Sequence, residues 1–315
     1  MRHHETVLQQ EAVSALNVRP SGRYVDATFG RGGHARAILD TLGVEGSLLV
    51  LDRDPEAIAA AQELMAQDPR VSAMKTPFGA LGSALSEMRL LGKVDGILFD
   101  LGVSSPQLDN PERGFSFMRD GPLDMRMDIE AKLSAAEWLA DAPEQKIADV
   151  IYQLGEERYS RRIARAIVKV RTDMAITRTS QLADIVKQAH PAWEKHKHPA
   201  TRTFQAIRMH INNELSELES ALKVVLSSLA TGGRLVVISF HSLEDRMVKK
   251  FMARCAKGDA FPRGVPVTAE QLKPALKLIG RPIRPTADEV QLNSRARSAV
   301  MRTAEKLEIE PAVTL

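Results

Sequence analysis

Between residues 5 and 100, short apolar runs alternate with stretches of helical periodicity, and after residue 100 that rhythm stops. "ETVLQQEAVSALNV" (5–18) spaces Val7, Leu8, Val13 and Leu16 near helical intervals, and "RPSG" breaks the pattern. A strand follows in "YVDATF" (24–29), then a glycine turn and a helix in "GRGGHARAIL" (30–39). The further strands "SLLVLD" (47–52), "RVSAMKTPF" (70–78) and "VDGILFDLG" (94–102) are separated by helical stretches at 56–67 and 84–92. Short links between alternating strands and helices predict an α/β chain, a parallel sheet with helices on its faces.

The next buried-type strand is "GGRLVVISF" (232–240), about 130 residues on, where a crossover ordinarily needs about a dozen residues or a few more. Three amphipathic helices fall in the gap, marked by Ile147, Val150, Ile151 and Leu154, by Ile163, Ile167 and Val170, and by Leu182, Ile185 and Val186. Residues 204–230 read as one long helix running straight into the strand, and so as the sheet domain's own crossover. After Pro285, "SRARSAVMRTAEKL" places Ala296, Ser298 and Val300 on one face, which predicts a late edge strand. The expected organisation is a sheet domain in two parts, 1–105 and 204–315, interrupted by a helical domain over 106–203.

A hydrophobic content of 44% with 26% charged residues fits an ordinary globular protein and excludes a disordered or membrane-embedded class. No stretch reaches the roughly 18 uncharged apolar residues of a membrane span, and "MRHHETVLQQE" lacks a signal peptide's apolar core. The single cysteine, Cys255, removes any internal disulfide framework, so a cytoplasmic location is expected. A net charge of +3 announces no partner by itself. The charge is clustered, however. Residues 158–178 hold seven Lys/Arg (Arg158, Arg161, Arg162, Arg165, Lys169, Arg171, Arg178) against Asp173 alone. Residues 187–210 add Lys187, Lys195, Lys197, Arg202 and Arg208 against Glu194. Arg158, Arg162, Arg165 and Lys169 recur at helical spacing opposite Ile163, Ile167 and Val170, a stripe suited to phosphates.

Gly30, Gly32 and Ala35 satisfy G-x-G-x-x-G/A, and Asp52 falls twenty residues after Gly32, where an adenosyl ribose would meet its acid. Taken alone the pattern permits a nicotinamide nucleotide and an oxidoreductase. Asp26, however, stands just before the turn, and Asp100 ends the fourth strand. A pyrophosphate favours a helix N-terminus with no carboxylate beside it, whereas a sulfonium donor tolerates the acids. Asp26 reads equally as a cap for the following helix, and Asp54-Pro55 as helix-start chemistry. His241-Ser242 beyond "GGRLVVISF" lacks the G-x-S-x-G elbow of a hydrolase and reads as substrate positioning or a helix N-cap. His3, His4, His196 and His198 have no Cys or carboxylate set at ligand spacing, so no metal site is expected.

"DATFGRGGH", "LDRDP", "FDLGVSSPQLD", "RGFSF" with "DGPLDMRMD", "FQAIRMHINNEL", "GGRLVVISFHSLEDR" and "SRAR" occur in this order over nearly the whole chain. Together they resemble the bacterial ribosomal RNA small-subunit methyltransferase H family, also called MraW. The resemblance implies a Rossmann-like S-adenosylmethionine-dependent methyltransferase fold with an inserted helical domain. It implies methylation of the exocyclic N4 amine of a cytidine in the decoding region of 16S rRNA, with that RNA in the small ribosomal subunit as partner. It further implies cofactor contacts by Gly32, Gly33, His34, Asp52, Phe78, Asp100 and Gln107.

The exocyclic amine is a weak nucleophile because its lone pair is conjugated into the ring. Asp100 is the candidate for the acceptor that draws on an amine N–H, or else for a cofactor-orienting role. The Asp/Asn/Ser-Pro-Pro-aromatic motif of many amino-methyltransferases is here Asp100-Leu-Gly-Val-Ser-Ser-Pro-Gln, so an aromatic for the target base must come from elsewhere. Phe115 and Phe117 are the candidates. A non-catalytic binding protein on the same scaffold is the remaining alternative.

Overall fold

The apolar runs become strands buried on both sides. The computed structural model describes residues 6–192, 198–258 and 272–308. Two compact units divide it, one of Met1–Gly102 with Leu215–Leu315, the other of Val103–Glu214.

The first unit opens with α1 (Gln9–Leu16), β1 (Arg23–Asp26), α2 (Gly33–Leu39), β2 (Ser47–Asp52), α3 (Pro55–Gln67), β3 (Val71–Lys75), α4 (Leu81–Glu87) and β4 (Val94–Asp100). Among the described residues, its sheet has seven strands in the order β3-β2-β1-β4-β5-β7-β6, with β5 (Leu229–Ser239), β6 (Leu276–Leu278) and β7 (Val300–Lys306). β1 to β5 are parallel, and β7 runs antiparallel to both β5 and β6.

Because successive strand residues point to opposite faces, one strand feeds two cores. Tyr24, Leu48, Val50, Leu98 and Val236 pack with Leu16, Ile38 and Leu64 from the helices α1, α2 and α3. Their neighbours Val25, Leu49, Leu51, Ile97, Phe99 and Val237 pack with residues of α4, of α11 (Glu214–Ser228) and of α12 (Ser242–Lys257). Each such side chain withdrawn from water contributes about 1.5–3 kcal/mol, which is why these runs read as continuous rather than alternating. This is the α/β class expected, with helices on both faces.

The second unit holds α5 (Ser105–Asp109), α6 (Ala135–Asp141), α7 (Glu144–Gly155), α8 (Ser160–Asp173), α9 (Thr179–Ala189) and α10 (Ala200–Ile211). Its core gathers Trp138, Leu139, Ile147, Ile151, Ile163, Ile167, Leu182, Val186, Phe204 and Ile207. α6 carries too short a periodic stretch to be seen in sequence. It starts at a capping box in which Ser134 and Glu137 satisfy each other's backbone N–H groups.

Two expectations are corrected. Residues 204–230 are not one helix: α10 ends at Ile211, Asn213 takes a left-handed φ of 53°, and α11 begins at Glu214. The Asn212 side chain accepts from the Met127 N–H (2.8 Å) and donates to the carbonyls of Met125 (2.7 Å) and Arg208 (2.8 Å). That buried amide joins α10 to the 125–127 loop, and α10 lies in the helical core rather than in the sheet unit. The late strand does form, but β7 is interior, because three-residue β6 pairs along its outer side. Residues 294–298 form a 3₁₀ turn whose start Asn293 caps. Among the described residues no helix is long and apolar enough to cross a membrane.

Candidate functional site

The order of the sheet reverses between β1, which leads outward through β2, and β4, which leads the other way, so a crevice opens beyond the carboxyl ends of these strands. Register then determines which side chains meet there. Asp26 aligns with Val50 of β2 and Leu98 of β4, so Asp52 and Asp100 each stand two residues farther out, level with Thr28 in the turn. Hydrogen bonds tie the turn to both strands: Ala27 N–H to Leu98 O (2.9 Å), Phe29 N–H to Leu51 O (3.0 Å) and Asp100 N–H to the Thr28 side-chain Oγ1 (2.6 Å).

Gly30 and Gly32 have φ of 56° and 74°, left-handed conformations that favour glycine, and Gly32 caps α2. Gly33 sits against the chain's beginning. Its carbonyl accepts from Gln9 Nε2 (2.8 Å), and a Cβ there would lie 1.8 Å from Thr6 Oγ1.

The three carboxylates differ in their partners. Asp52 accepts Gly30 N–H on Oδ2 (2.8 Å) and Asp54 N–H on Oδ1 (2.9 Å), which does not exhaust the carboxylate's lone pairs. Burial pushes its carboxyl above the ordinary range, against backbone bonds from Asp54, Gly30 and Arg53. Asp26 does not cap α2. Its Oδ1 takes the Thr28 N–H (3.1 Å) and its Oδ2 is buried without a partner, and burial raises it to about 6. Asp100 Oδ1 is likewise buried and unpaired, while Oδ2 stands 3.6 Å from Nε2 of His34, a ring only 4% exposed. Burial works to lower the His34 pKa, but the Asp100 carboxylate and the charge of Asp26 outweigh it, so the imidazole stays above its usual range. At 3.6 Å this is a charge contact rather than a hydrogen bond, and both ring nitrogens lack hydrogen-bond partners.

Phe78 opens a 3₁₀ turn after β3. It packs edge-on against Phe99 at 5.9 Å, and Glu217 of α11 holds the turn through Gly79 N–H (2.9 Å). Gly32, Gly33, His34, Asp52, Phe78 and Asp100 therefore belong to the sheet unit, five of them at the turn and strand ends. Gln107 belongs to the helical unit. It is buried in α5, and its Oε1 accepts Ser104 N–H (2.8 Å) in a capping box.

His241 is the N-cap residue of α12 and Ser242 its first helical residue. Nε2 of His241 lies 3.0 Å from Glu244, whose other oxygen accepts Phe240 N–H. Asp54 caps α3 with Pro55 at its first position, as expected. Phe115 is buried in the helical core with the Arg113 guanidinium 5.8 Å over its ring, which removes it as a base platform. Phe117 packs between the rings of His198 (4.6 Å) and Phe204 (4.8 Å). His3, His4, Glu194, Lys195, His196 and Lys197 lie outside the described residues.

The basic cluster proves mixed. Arg171 donates to the carbonyls of Leu139 and Ala142 at the end of α6, Arg178 pairs with Asp120, and Arg208 with Glu214 at 2.7 Å twice. Arg161, Arg162, Arg165 and Lys169 are exposed along α8.

In the crevice, unpaired buried acceptors on Asp26 and Asp100, spare lone pairs on Asp52, and a glycine turn that lets backbone approach closely all suit a ligand rich in hydroxyl donors and positive charge. S-adenosylmethionine has that character, with ribose hydroxyls, an amino group and a sulfonium.

A model of the MraW methylase family matches residues 1–307. Among solved structures, the chain is similar to an rRNA methylase from Streptococcus thermophilus, with 12% identity, 95% of this chain and 94% of that one covered, and a TM-score of 0.39. It is also similar to a SAM-dependent O-methyltransferase from Thermotoga maritima, with 11% identity, 99% and 70% covered, and a TM-score of 0.42.

Proposed function

Because the chain belongs to the MraW methylase family, we propose that it methylates the exocyclic N4 amine of a cytidine in the decoding region of 16S rRNA, acting on the small ribosomal subunit's RNA in the cytoplasm. It is a methyltransferase with a Rossmann-like α/β fold, and its methyl donor is S-adenosylmethionine. Bound, the donor supplies an electrophilic methyl group on a sulfonium.

The observation that carries the reading is the unpaired Oδ1 of Asp100 at the end of β4, buried beside His34. An amine N–H is what that oxygen lacks. Accepting it draws the amine nitrogen toward tetrahedral geometry and frees its lone pair, and the same carboxylate takes the proton shed once nitrogen is alkylated. His34, whose pKa the two acids raise against burial, faces the other Asp100 oxygen at 3.6 Å and holds it in place. Asp52 offers its remaining lone pairs to the ribose hydroxyls, and Gly30 and Gly32 admit the ligand to the backbone. Phe78 completes the donor contacts proposed within the sheet unit, and Gln107 is a proposed contact by resemblance alone. The blocks "DLGVSSPQLD" and "ISFHSLEDR" support the N4 assignment by resemblance.

The test is methylation of small subunits that lack the modification, followed by nucleoside mass spectrometry of decoding-region fragments. N4-methylcytidine formed there by the purified protein is the expected product. A methyl group on another base, on ribose or nowhere would overturn the assignment.

A further inference from the structure

Leu8, the N-cap residue of α1, holds a backbone conformation that its side chain disfavours. Its φ of 52° and ψ of 36° are left-handed, yet the side chain is that of a leucine, buried in the α1–α3 core. Such strain persists only where the surroundings over-determine it, and it gathers at ligand clamps.

Residues on either side of this bend both reach the cofactor turn. Gln9 Nε2 donates to the Gly33 carbonyl (2.8 Å), and Thr6 presses on Gly33 so closely that a Cβ there would meet its Oγ1. Gly33 is the first residue of α2, between Gly32 with its φ of 74° and His34, whose ring faces Asp100 at 3.6 Å. The left-handed bend at Leu8 is what turns Thr6 and Gln9 toward one glycine. A relaxed backbone there would give up one contact or the other.

The group that meets the strained residue comes from the far end of the chain. Leu8 N–H donates to Oε1 of Glu289 (2.8 Å), in α13 (Ala287–Leu292). None of the six residues of α13 is buried, so core packing does not account for its place. Glu289 is steadied at both its backbone groups: its N–H donates to Thr286 Oγ1 (3.2 Å), and its carbonyl accepts Asn293 N–H (2.7 Å). A carboxylate accepting a backbone N–H makes one of the stronger protein hydrogen bonds, which opposes the left-handed cost at Leu8.

We propose that Glu289 is a positioning residue for the methyl donor. By holding Leu8 N–H it locks the bend that sets Thr6 and Gln9 against Gly33, and so keeps the cofactor turn in its donor-binding form. Glu289 itself does not touch the donor. This role rests on the donor lying at the Gly32–Gly33 turn, and adds what holds that turn.

The test is calorimetry of S-adenosylmethionine binding to the full-length protein, with donor KM and kcat measured on small subunits that lack the modification. Glu289→Ala should still fold, because α13 buries nothing. It should weaken donor binding about fivefold or more, the lower end of ordinary coupling between sites, and raise donor KM equally with kcat at saturating donor unchanged. Glu289→Gln keeps an oxygen that can accept Leu8 N–H, and should bind the donor within about twofold of the parent. Gln9→Ala severs the bond to Gly33, so Glu289→Ala added to it should cost clearly less than in the parent, although the two side chains serve different partners. A merely structural loss would be additive in that cycle and would lower kcat along with the melting midpoint. Unchanged donor affinity in Glu289→Ala, or additive losses in the cycle, would overturn the role of Glu289 while Gly32→Ala still loses the donor. Normal donor binding by Glu289→Ala and Gly32→Ala alike would overturn the placing of the donor at this turn as well.

Discussion

Gly32 and Gly232 form a matched pair for measuring what the cofactor turn demands of its backbone. Both are left-handed, with φ of 74° and 77°, but their surroundings differ. A Cβ at Gly232 meets nothing within 4 Å, whereas at Gly32 it would lie 2.6 and 2.7 Å from the Phe29 ring and 3.0 Å from the Arg36 guanidinium. An L side chain in this backbone region costs about 1–2 kcal/mol, which is the whole expected cost of Gly232→Ala. Gly32→Ala carries the same cost and a clash besides. Arg36 is long enough to move aside. Phe29 is 3% exposed and packed in the α1–α3 core, so its ring cannot swing out, and overpacking of that kind costs about 1–3 kcal/mol.

Gly32→Ala should therefore melt roughly 2–12 °C below Gly232→Ala, taking about 2–4 °C per kcal/mol for a unit of this size. Calorimetry should also separate them. Displacing Phe29 disturbs the adjacent Gly30 N–H to Asp52 bond, so Gly32→Ala should lose S-adenosylmethionine affinity at least tenfold, about 1.4 kcal/mol, while Gly232→Ala binds normally. Adding Phe29→Leu to Gly32→Ala should recover part of the loss although it destabilises the parent protein, a coupling that a double-mutant cycle reads directly. Equal melting temperatures for the two alanine variants would refute the claim that Phe29 is immovable.

Asp100→Ala should reduce methyl transfer by at least a hundredfold, the smaller end of what a positioned proton acceptor contributes, with melting near that of the parent, because the fold bonds the Asp100 backbone while its side chain meets, among the described residues, only His34, at 3.6 Å; near-normal turnover would remove it from the mechanism. Asp26 has a folded pKa of about 6 against roughly 3.9 unfolded, so between these values the folded state keeps a proton the unfolded chain has released. Its contribution to stability falls as pH rises through that window, by up to about 3 kcal/mol, and stays lost above it. Asp26→Asn preserves the acceptor for Thr28 N–H and should gain on the parent in melting temperature from pH 4 to pH 7; a constant difference would contradict the buried-acid argument. Asn212→Ala strands a buried N–H at Met127 and a carbonyl at Met125, and at about 1–3 kcal/mol for each unsatisfied group it should destabilise the helical unit by roughly 2–6 kcal/mol, read as earlier exchange of α10 amides.

The sheet was legible because parallel strands buried on both faces leave continuous apolar runs between helical stretches, a pattern set by local sequence. What escaped depends on partners distant in the chain. The break after α10 could not be seen from "HINNEL", which has good helical periodicity. Asn212 ends α10 where its amide meets the 125–127 loop, some 85 residues earlier. β7 looked like an edge because the strand covering it, Leu276–Leu278, is too short to show any period. In the basic cluster, composition could not separate Arg171, which holds the end of α6, from Arg165, which faces solvent, because both sit at helical spacing on α8.

The site was legible for a different reason, since a two-residue register fixes it. Given parallel pairing of β1 with β2 and β4, acids that end the second and fourth strands must flank the turn, so residue type and strand position sufficed. Charge then selects the ligand. At an effective dielectric near 20, an anion about 6 Å from one carboxylate costs about 3 kcal/mol, and a cation gains as much. A pyrophosphate in this turn would meet Asp52 and Asp100, with Asp26 shifting toward its neutral form to limit the repulsion. The helix dipole of α2, worth about 0.3–1 kcal/mol, cannot compensate. His34 is the part no spacing revealed. Against burial, Asp100 and Asp26 hold its pKa above the usual range, so a proton taken up by the ring offsets one unit of the acids' charge and lessens their preference for a cation. Once the methyl group has gone, the neutral thioether product offers the acids no charge to hold.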